Sequence, residues 1–338
     1  MTPLRIALVY GRVDAGAPLD EKDVLVQVDA VRTALHSLGH ATIDVPLSLD
    51  LGVAAAVLST AGPVIAFNLA ETIDGKGSLI QLAPTLLESL RIPYTGAPSE
   101  AILLTSHKLL AKKTLAAGGI PTPAWAKAEA ALSGRPPGSA PWIVKSVWEH
   151  ASIGLLDSAV AATEEELVRE IRRRVMRESI EHLFVEQYID GREFNLALLG
   201  APGGPQNLPP AEIQFVGYPA GKPRMVGYRA KWDEGSFEYG NTPRCFNFPP
   251  GDKGLLEKLV ALSGDCWRLF GLAGYARVDF RVDAGGRPWV LEINTNPCLS
   301  PDAGFMAAAD RAGLTLEQVV QRIVAEAAHP SGCEESNV

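Results

Sequence analysis

Residues 277–297 have the sequence Arg277-Val-Asp-Phe-Arg-Val-Asp-Ala-Gly-Gly-Arg-Pro-Trp-Val-Leu-Glu-Ile-Asn-Thr-Asn-Pro297, which predicts two strands joined by a turn. Residues 276–282 alternate in polarity, residues 283–288 are turn formers, and residues 289–293 are mostly apolar. This pattern is typical of a hairpin with one polar face.

The polar face of this hairpin carries two carboxylates. Because residues two apart share one face of a strand, Arg277, Asp279 and Arg281 point the same way, as do Glu292 and Asn294 on the partner strand. Two carboxylates and an amide oxygen form a hard oxygen donor set, which suits Mg²⁺ held between protein and nucleotide phosphates. The alternative is an edge hairpin with solvated charges.

The composition predicts a globular protein of two or three domains. The chain has 338 residues, of which 47% are apolar and 21% are charged. The net charge of -8 argues against duplex nucleic acid and anionic membranes as partners. The start of the chain lacks signal-peptide features, no apolar run is long enough for a bilayer, and the cysteines show no CxxC spacing. A cytoplasmic location with free thiols is therefore expected.

The first part of the chain alternates strand and helix patterns, which predicts a parallel α/β unit over residues 1–97. No GxGxxG follows the first strand, so dinucleotide binding is excluded. The predicted elements are strands at 4–10, 41–45 and 64–67, a helix at 24–38 and a helical or irregular segment at 51–59.

Later segments predict strands separated by long loops. A strand at 183–189 is followed by a turn at Asp190-Gly191, and residues 193–199 are predicted to continue antiparallel to it. Residues 231–251 are long and weakly patterned, which is typical of lids and binding loops.

Three lysines stand near predicted anion-binding backbone. Lys108 begins a helix, Lys145 ends a strand before a Ser/Gly loop, and Lys231 lies in the expected lid. Each alone is typical of a solvated surface lysine, but with an oxygen-rich metal site they indicate a nucleoside triphosphate clamp. Glu193 is then placed to accept hydrogen bonds from a ribose, and the backbone of the preceding strand to contact adenine.

Short motifs follow one another along almost the whole chain. They are Ile92-Pro-Tyr-Thr-Gly96, Ser106-His-Lys108, Trp142-Ile-Val-Lys145 with Glu149 and Ser152-Ile-Gly154, Glu186-Gln-Tyr-Ile189 with Gly191 and Glu193, Tyr228-Arg-Ala-Lys231, Arg277-Val-Asp279 and Leu291-Glu-Ile-Asn-Thr-Asn-Pro297. Each motif is weak alone, but their order and spacing together resemble the ATP-grasp carboxylate–amine ligases, most closely the D-alanine–D-alanine ligase family.

The resemblance implies a mixed α/β ATP-grasp fold with ATP between the second and third of three domains. These would be an N-terminal Rossmann-like domain (1–97), a central lid domain (98–189) and a C-terminal domain with the metal site and lid loop (190–330), followed by a tail (331–338). A homodimer is also implied.

The resemblance further implies roles for individual residues. Arg277 would face the reacting centre, with Lys145 and Lys231 as the other catalytic groups. Asp279, Glu292 and Asn294 would hold two Mg²⁺ ions, with Mn²⁺ as an alternative. The nucleotide would contact Lys108, Lys145, Ser152, Glu186, Gln187, Tyr188, Ile189, Glu193, Lys231 and Leu291.

The substrate positions depart from the family pattern. The glutamate and serine expected after the first strand are absent from residues 12–19, and Ala151, Trp232, Cys298 and Ala303-Gly304 replace the family's serine, tyrosine, glycine and serine–leucine pair. Losing a buried hydrogen-bond partner costs about 1–3 kcal/mol, so several losses argue for different substrates.

Four residues are substrate candidates. Glu71 and Asp302 are expected in exposed loops, where they are solvated or pair with a substrate ammonium. Trp232 either walls a pocket or packs the lid. Cys298 is expected to fill space, because no histidine is placed to activate its thiol.

The sequence therefore predicts an ADP-forming ligase that joins an amino acid or peptide carboxylate to an amine through an acyl phosphate. The alternatives are a true D-alanine–D-alanine ligase of peptidoglycan synthesis, a non-catalytic nucleotide-binding relative, and a phosphotransferase on the same fold.

Overall fold

The computed structural model describes residues 3–14, 16–148 and 155–328, in which the strands form three sheets in a mixed α/β architecture. No helix within these ranges is both long and apolar enough to cross a membrane. Single 3₁₀ turns lie at Gly77–Leu79, Asp157–Ala159, Ile180–His182 and Pro250–Asp252.

The first sheet is parallel, as the alternating strand and helix patterns predict. Its elements and the helices that follow the strands are β1 (Arg5–Gly11), α1 (Leu19–Ser37), β2 (Ala41–Leu47), α2 (Leu51–Ala61), β3 (Ile65–Asn68) and α3 (Leu82–Ser89). Strand β1 is central, between β2 and β3. Helix α1 begins at Leu19, earlier than predicted, and α2 is a regular helix whose first turn is capped by Asp50.

The second sheet is antiparallel, with strand order β4-β7-β5-β6. The elements of this part of the chain are α4 (Ser99–Ser106), α5 (Lys108–Ala117), β4 (Trp125–Lys127), α6 (Ala128–Leu132), β5 (Trp142–Ser146), β6 (Val160–Ala161), α7 (Glu164–Val175) and β7 (Leu183–Gln187). Trp142, Leu167 and Val185 pack in a separate apolar core between this sheet and α7.

The third sheet is also antiparallel, with order β11-β10-β8-β12-β13 and the short β9 beside β8. Its elements and helices are β8 (Arg192–Leu199), β9 (Gln206–Asn207), β10 (Ala211–Ile213), α8 (Tyr228–Trp232), α9 (Phe237–Gly240), β11 (Arg244–Cys245), α10 (Lys253–Leu269), β12 (Tyr275–Val282), β13 (Pro288–Asn294), α11 (Gly304–Arg311) and α12 (Leu316–Ala328). The expected lid over 231–251 thus contains the end of α8, the short helix α9, strand β11 and the start of a 3₁₀ turn.

The hairpin predicted from residues 277–297 is confirmed. Asp279 lies opposite Glu292 and Arg277 lies opposite Asn294, with a register shift after Asp279. Strand β12 also pairs with β8, so the alternative of an edge hairpin is wrong for this strand.

The predicted hairpin between 183–189 and 193–199 is wrong. Strand β7 pairs with β4 and β5, whereas β8 pairs with β10 and β12 in another sheet. Most of β8 is buried, and it lies between β10 and β12, which pair with its two edges. Gly191 permits the change of sheet, because a Cβ there would lie 2.0 Å from the Val282 carbonyl oxygen.

Two large cores join parts of the chain that are far apart in sequence. The first unites Ile6 and Val28 with Phe305 and Val320, so the N-terminal sheet packs against α11 and α12. In the second, Ile102 of α4 packs with Phe194 and Val278 of the third sheet. The domain boundaries at 97, 189 and 330 remain predictions.

Gly274, which precedes β12, lies in close contact with Gly96, which precedes α4. Its φ is +71°, and a Cβ on it would lie 2.6 Å from the Cα of Gly96. Gly274→Ala is therefore expected to destabilise the protein by about 2–4 kcal/mol, through backbone strain and overpacking, measured as a lower urea midpoint.

Gly271→Ala is the matched control, because Gly271 also has a positive φ, +59°, but its Cβ would meet no atom within 4 Å. It should cost only about 1 kcal/mol. Equal losses in both variants would contradict the close contact.

Candidate active site

A cleft of about 650 Å³ is lined by residues of both antiparallel sheets. Lys145 of β5 and Glu186 of β7 contribute from the second sheet, and Glu193 of β8, Arg277 of β12 and Glu292 of β13 from the third. The residues predicted to bind phosphate and those predicted to bind metal therefore face one shared space.

Most of the predicted site residues line this cleft. They are Glu71, Lys108, Lys145, Glu186, Tyr188, Ile189, Glu193, Lys231, Trp232, Arg277, Asp279, Leu291, Glu292, Asn294, Cys298 and Asp302. Gln187 is directed elsewhere, because its side chain donates a hydrogen bond to the Ser139 hydroxyl at 3.1 Å. Ser152, Glu149 and Ala151 lie outside the described residues.

The acidic hairpin is balanced by cations. Arg277 donates two hydrogen bonds to Asp279, at 2.7 and 2.8 Å, and Asn195 donates a third at 2.7 Å. The Lys108 ammonium lies 3.5 Å from the Glu292 carboxylate. Although burial alone would lower it, Asp279 holds the pKa of Arg277 above its usual range. Two facing carboxylates repel each other, so positive charge is required here.

The same donor set fits Mg²⁺. Asp279 and Glu292 lie opposite each other, and Asn294 is next on the same face, with its Oδ1 accepting from the Asn296 amide at 2.9 Å. No group of three or more Asp, Glu, His or Cys side chains that could hold a metal exists in the described ranges. An ion here would complete its shell with other oxygens, as Mg²⁺ does with substrate phosphates and water.

Glu186 lies in a buried ion pair network that the sequence did not indicate. Lys145 contacts one carboxylate oxygen at 2.9 Å, and Lys112 forms an ion pair with the other. Lys112 is 1% exposed and also donates to the Thr122 hydroxyl at 2.8 Å. Although burial alone would raise it, the two lysines hold the pKa of Glu186 below its usual range. The network fixes the side chain of Lys145.

Glu193 is positioned by a buried arginine, Arg281. The guanidinium lies 2.8 Å from the Glu193 carboxylate and donates to the Gly191 carbonyl at 3.1 Å. The rings of Tyr188 and Phe215 lie 5.8 and 5.3 Å from the guanidinium carbon. Burial raises the pKa of Glu193 and Arg281 opposes that rise. The alternation of β12 placed Arg281 beside Asp279, but did not show its partner.

The cleft carries further carboxylates. Glu71 is half-buried and accepts a hydrogen bond from Gln27 at 2.9 Å, so its expected place in an exposed loop is wrong. The loop turns inward because it packs against α1. Asp302 is exposed as expected, and Asp23 of α1, which the sequence did not indicate, also lines the cleft.

Cys298 lies beside Asp23, with its sulfur 3.4 Å from the carboxylate and 3.1 Å from the Ser300 hydroxyl. Burial and the nearby Glu71 and Asp23 raise the pKa of the thiol. A protonated thiol is a poor nucleophile, which agrees with a space-filling role.

Arg244 is a cleft arginine that lies in the weakly patterned segment, where no sequence signal marked it. It is exposed and donates to the Asp302 carbonyl at 3.1 Å. Among the described residues no carboxylate comes within 4.0 Å of it. Gly304 lets it approach α11, since a Cβ there would lie 3.3 Å from the Arg244 Nε. Arg244 is therefore suited to an anionic group entering the cleft.

Comparison with known proteins gives one consistent family. A family model described as D-ala D-ala ligase C-terminus matches residues 127–325. A D-alanine–D-alanine ligase from Moorella thermoacetica is 32% identical over 327 residues, covering 93% of this chain and 98% of that protein. One from Gloeobacter violaceus is 30% identical over 322 residues, covering 92% and 96%.

Solved structures agree on the fold. The D-alanine–D-alanine ligase of Bacillus anthracis complexed with ATP has a TM-score of 0.70 at 19% identity, covering 96% of this chain and 97% of that chain. The D-alanyl-alanine synthetase A of Vibrio cholerae has a TM-score of 0.71 at 18% identity, covering 97% and 99%. The ATP-grasp architecture predicted from the motifs is confirmed.

Replacing Lys112 by Met is expected to destabilise the protein by about 3 kcal/mol, because Glu186 would keep a buried charge with one fewer cation. Adding Glu186→Gln should recover most of this loss, because the buried charge is then removed. Urea unfolding midpoints measure both effects.

Lys113→Met is the control, because Lys113 is exposed on the same helix and should change stability by less than about 0.5 kcal/mol. If Lys112→Met were as stable as this control, the buried network would not contribute to the fold.

Proposed function

Because the chain belongs to the D-alanine–D-alanine ligase family, we propose that it joins the carboxylate of one amino acid or peptide to the amine of another, with formation of ADP. It is an ATP-dependent carbon–nitrogen ligase of the ATP-grasp type. The observation that carries the proposal is the single cleft in which Lys108 and Lys145 face the acidic pair Asp279 and Glu292.

The nucleotide end of the cleft has groups suited to each part of ATP. Lys108, Lys145 and Lys231 supply charge for the phosphates, and the Glu193 carboxylate, positioned by Arg281, accepts from the ribose hydroxyls. The backbone around Tyr188 and Ile189, with Leu291, contacts adenine. Burial lowers the pKa of Lys231 while Glu292 opposes this, so the charge of Lys231 depends on its anionic neighbours.

Asp279, Glu292 and Asn294 would hold Mg²⁺, either one ion or two, and Mn²⁺ would suit the same oxygens. When bound, the ion supplies positive charge that allows an anionic acid to approach the terminal phosphate. Lys108 and Arg277 already contact the carboxylates that would bind it, so ATP and metal entry would require these cations to turn toward the phosphates.

The reaction then proceeds in two steps. A carboxylate oxygen attacks the terminal phosphorus, and ADP leaves as an acyl phosphate forms. The amine attacks the acyl carbon, and the oxyanion that forms is stabilised by Arg277 and by backbone amides near Cys298. Phosphate departs with the electron pair of the broken carbon–oxygen bond, which leaves an amide.

The acid and the amine are proposed to differ from two D-alanines. The cleft carries Trp232, Cys298 and Gly304 where the family has groups that hold those substrates, and Asp23 and Arg244 also line it. Carboxylates such as Glu71 and Asp302 suit a substrate ammonium, and Arg244 suits the carboxylate of the amine substrate.

A D-alanine–D-alanine ligase is the second candidate, because the relatives from M. thermoacetica and G. violaceus carry that name. A non-catalytic relative is disfavoured, because nucleotide binding alone does not require Arg277. The cytoplasmic location and the homodimer remain predictions.

The test is a screen for release of ADP and phosphate from ATP and Mg²⁺, with D- and L-amino acids singly and in pairs. Turnover with D-alanine alone would favour the second candidate. Hydroxylamine in place of the amine distinguishes a ligase from a phosphotransferase, because only an acyl phosphate gives a hydroxamate. No ADP release with any acid, with or without hydroxylamine, would reject the ligase proposal.

Glu292→Gln is expected to lower turnover by roughly 100-fold or more, because one anionic donor of the ion site becomes neutral. The urea midpoint should fall only modestly, because the isosteric substitution relieves repulsion with Asp279 while Lys108 loses its ion pair. Glu257→Gln, at an exposed position of α10, is the control for the loss of one carboxylate. Retained activity would mean that the ion binds elsewhere.

Arg244→Gln is expected to raise the KM of the amine substrate by about 10- to 100-fold, the effect of losing one charged hydrogen bond. The KM of ATP should stay unchanged, because Arg244 lies at the substrate end. Arg244→Lys should restore part of the affinity. A change confined to the KM of ATP would contradict this role.

A further inference from the structure

Glu71 is held in the cleft by a rigid loop after β3. The Asn68 side chain accepts a hydrogen bond from the Ala70 amide at 3.2 Å. The Ala70 carbonyl accepts one from the Asn296 side chain at 2.9 Å, which ties the loop to the motif after β13. The residue that precedes Glu71 is therefore fixed from two sides.

The carboxyl group itself is oriented by Gln27 of α1. The Gln27 Nε2 donates to the Glu71 Oε1 at 2.9 Å, and the Gln27 Oε1 accepts from the Leu299 amide at 2.8 Å. Within the described part of the chain, the second oxygen of Glu71, Oε2, takes no hydrogen bond. One oxygen is thus anchored and the other remains available to a ligand.

The charged and titratable neighbours of Glu71 come from several elements. They are Asp23 on α1, Lys231 on α8, Arg277 and Tyr275 on β12, and Cys298 after β13. Burial and Asp23 raise the pKa of Glu71 to about 7, while Gln27, Lys231 and Arg277 oppose the rise. A base is most effective when its pKa lies near the working pH.

We propose that Glu71 is the general base that removes a proton from the ammonium group of the amine substrate before it attacks the acyl phosphate. The inference rests on the proposed ligase function. The geometry supports it because Glu71 lines the same cleft as Arg277 and Lys231 and keeps one oxygen available.

The protons and electrons balance. One N–H bond of the ammonium breaks, its electron pair stays on nitrogen, and the proton binds the Glu71 carboxylate. Nitrogen then forms the bond to the acyl carbon, and phosphate leaves with the electron pair of the carbon–oxygen bond. Phosphate takes the second proton that nitrogen loses as the amide forms.

Other groups at this end of the cleft are less suited to the role. Asp302 is exposed, so water competes with a substrate for its carboxylate. The raised pKa of Cys298 leaves its thiol protonated. Arg277 and Arg244 are cations and hold no lone pair for a proton.

The test compares two nucleophiles in the full-length protein. Hydroxylamine is mostly unprotonated at neutral pH and needs no base, whereas an amino acid amine is mostly protonated. With the acid–amine pair that releases ADP fastest in the screen, Glu71→Gln is expected to lower amide formation by about 100-fold or more. Hydroxamate formation from the same acid should stay within about threefold of wild type, which also shows that the variant is folded.

The pH profile gives a second readout. Amide formation by the wild type at low amine concentration is expected to rise as the pH increases through about 7, where Glu71 loses its proton. This rise should be absent in Glu71→Gln, and in Glu71→Asp it should occur at a different pH. Glu257→Gln should behave as wild type with both nucleophiles.

Two outcomes would overturn the proposal. Loss of both amide and hydroxamate would mean that Glu71 binds the acid substrate, and retention of both would mean that it has no part in the reaction. A wild type that releases no ADP with any acid, with or without hydroxylamine, would instead reject the ligase function itself.

Discussion

The structure depends on the opposition of two carboxylates, Asp279 and Glu292, on neighbouring strands of a partly buried cleft. Like charges on directly opposed strand residues destabilise each other unless cations lie beside them. Arg277 balances Asp279 from the same strand, and Lys108 balances Glu292 from the first residue of α5. The start of α5 is therefore held to β13 by charge as well as by packing.

The two ends of the cleft are built differently. The end proposed to bind the amino acid substrates is assembled by the core that unites α1 and β3 with α11 and α12, and hydrogen bonds that involve Gln27 and Asn296 cross the same boundary. The end proposed to bind ATP lies between two sheets that have separate cores. Groups at the first end are therefore positioned by one continuous apolar interior, whereas those proposed to contact phosphates depend on how two sheets meet.

Local patterns predicted the parts of the fold that depend on local structure. The alternation around Asp279 gave the correct faces and pairing of the hairpin, and strand–helix spacing gave the parallel sheet. The turn at Asp190-Gly191 led to a wrong strand pairing, because a turn does not determine which sheet the next strand joins. The sheet that β8 joins depends on its pairing with β10 and β12, which the local sequence does not show.

The same limit applies to the site. Lys108 was identified, but Lys112, one turn later on the same face of α5, was not, because the sequence does not show that Glu186 faces it. Arg244 and Asp23 carry no motif, and Glu71 was expected in solvent. Each of these depends on contacts between elements that are distant in the chain, which only the folded arrangement supplies.

The union of α1 with α12 in one core also has a consequence for biosynthesis. The ribosome releases the three parallel strands and α1 long before Val320 and Val324, which complete their apolar covering. Until then the nascent sheet presents an uncovered hydrophobic face, and its closure requires a contact across nearly the whole polypeptide. Such late, long-range closure is slow and leaves partly folded chains prone to association.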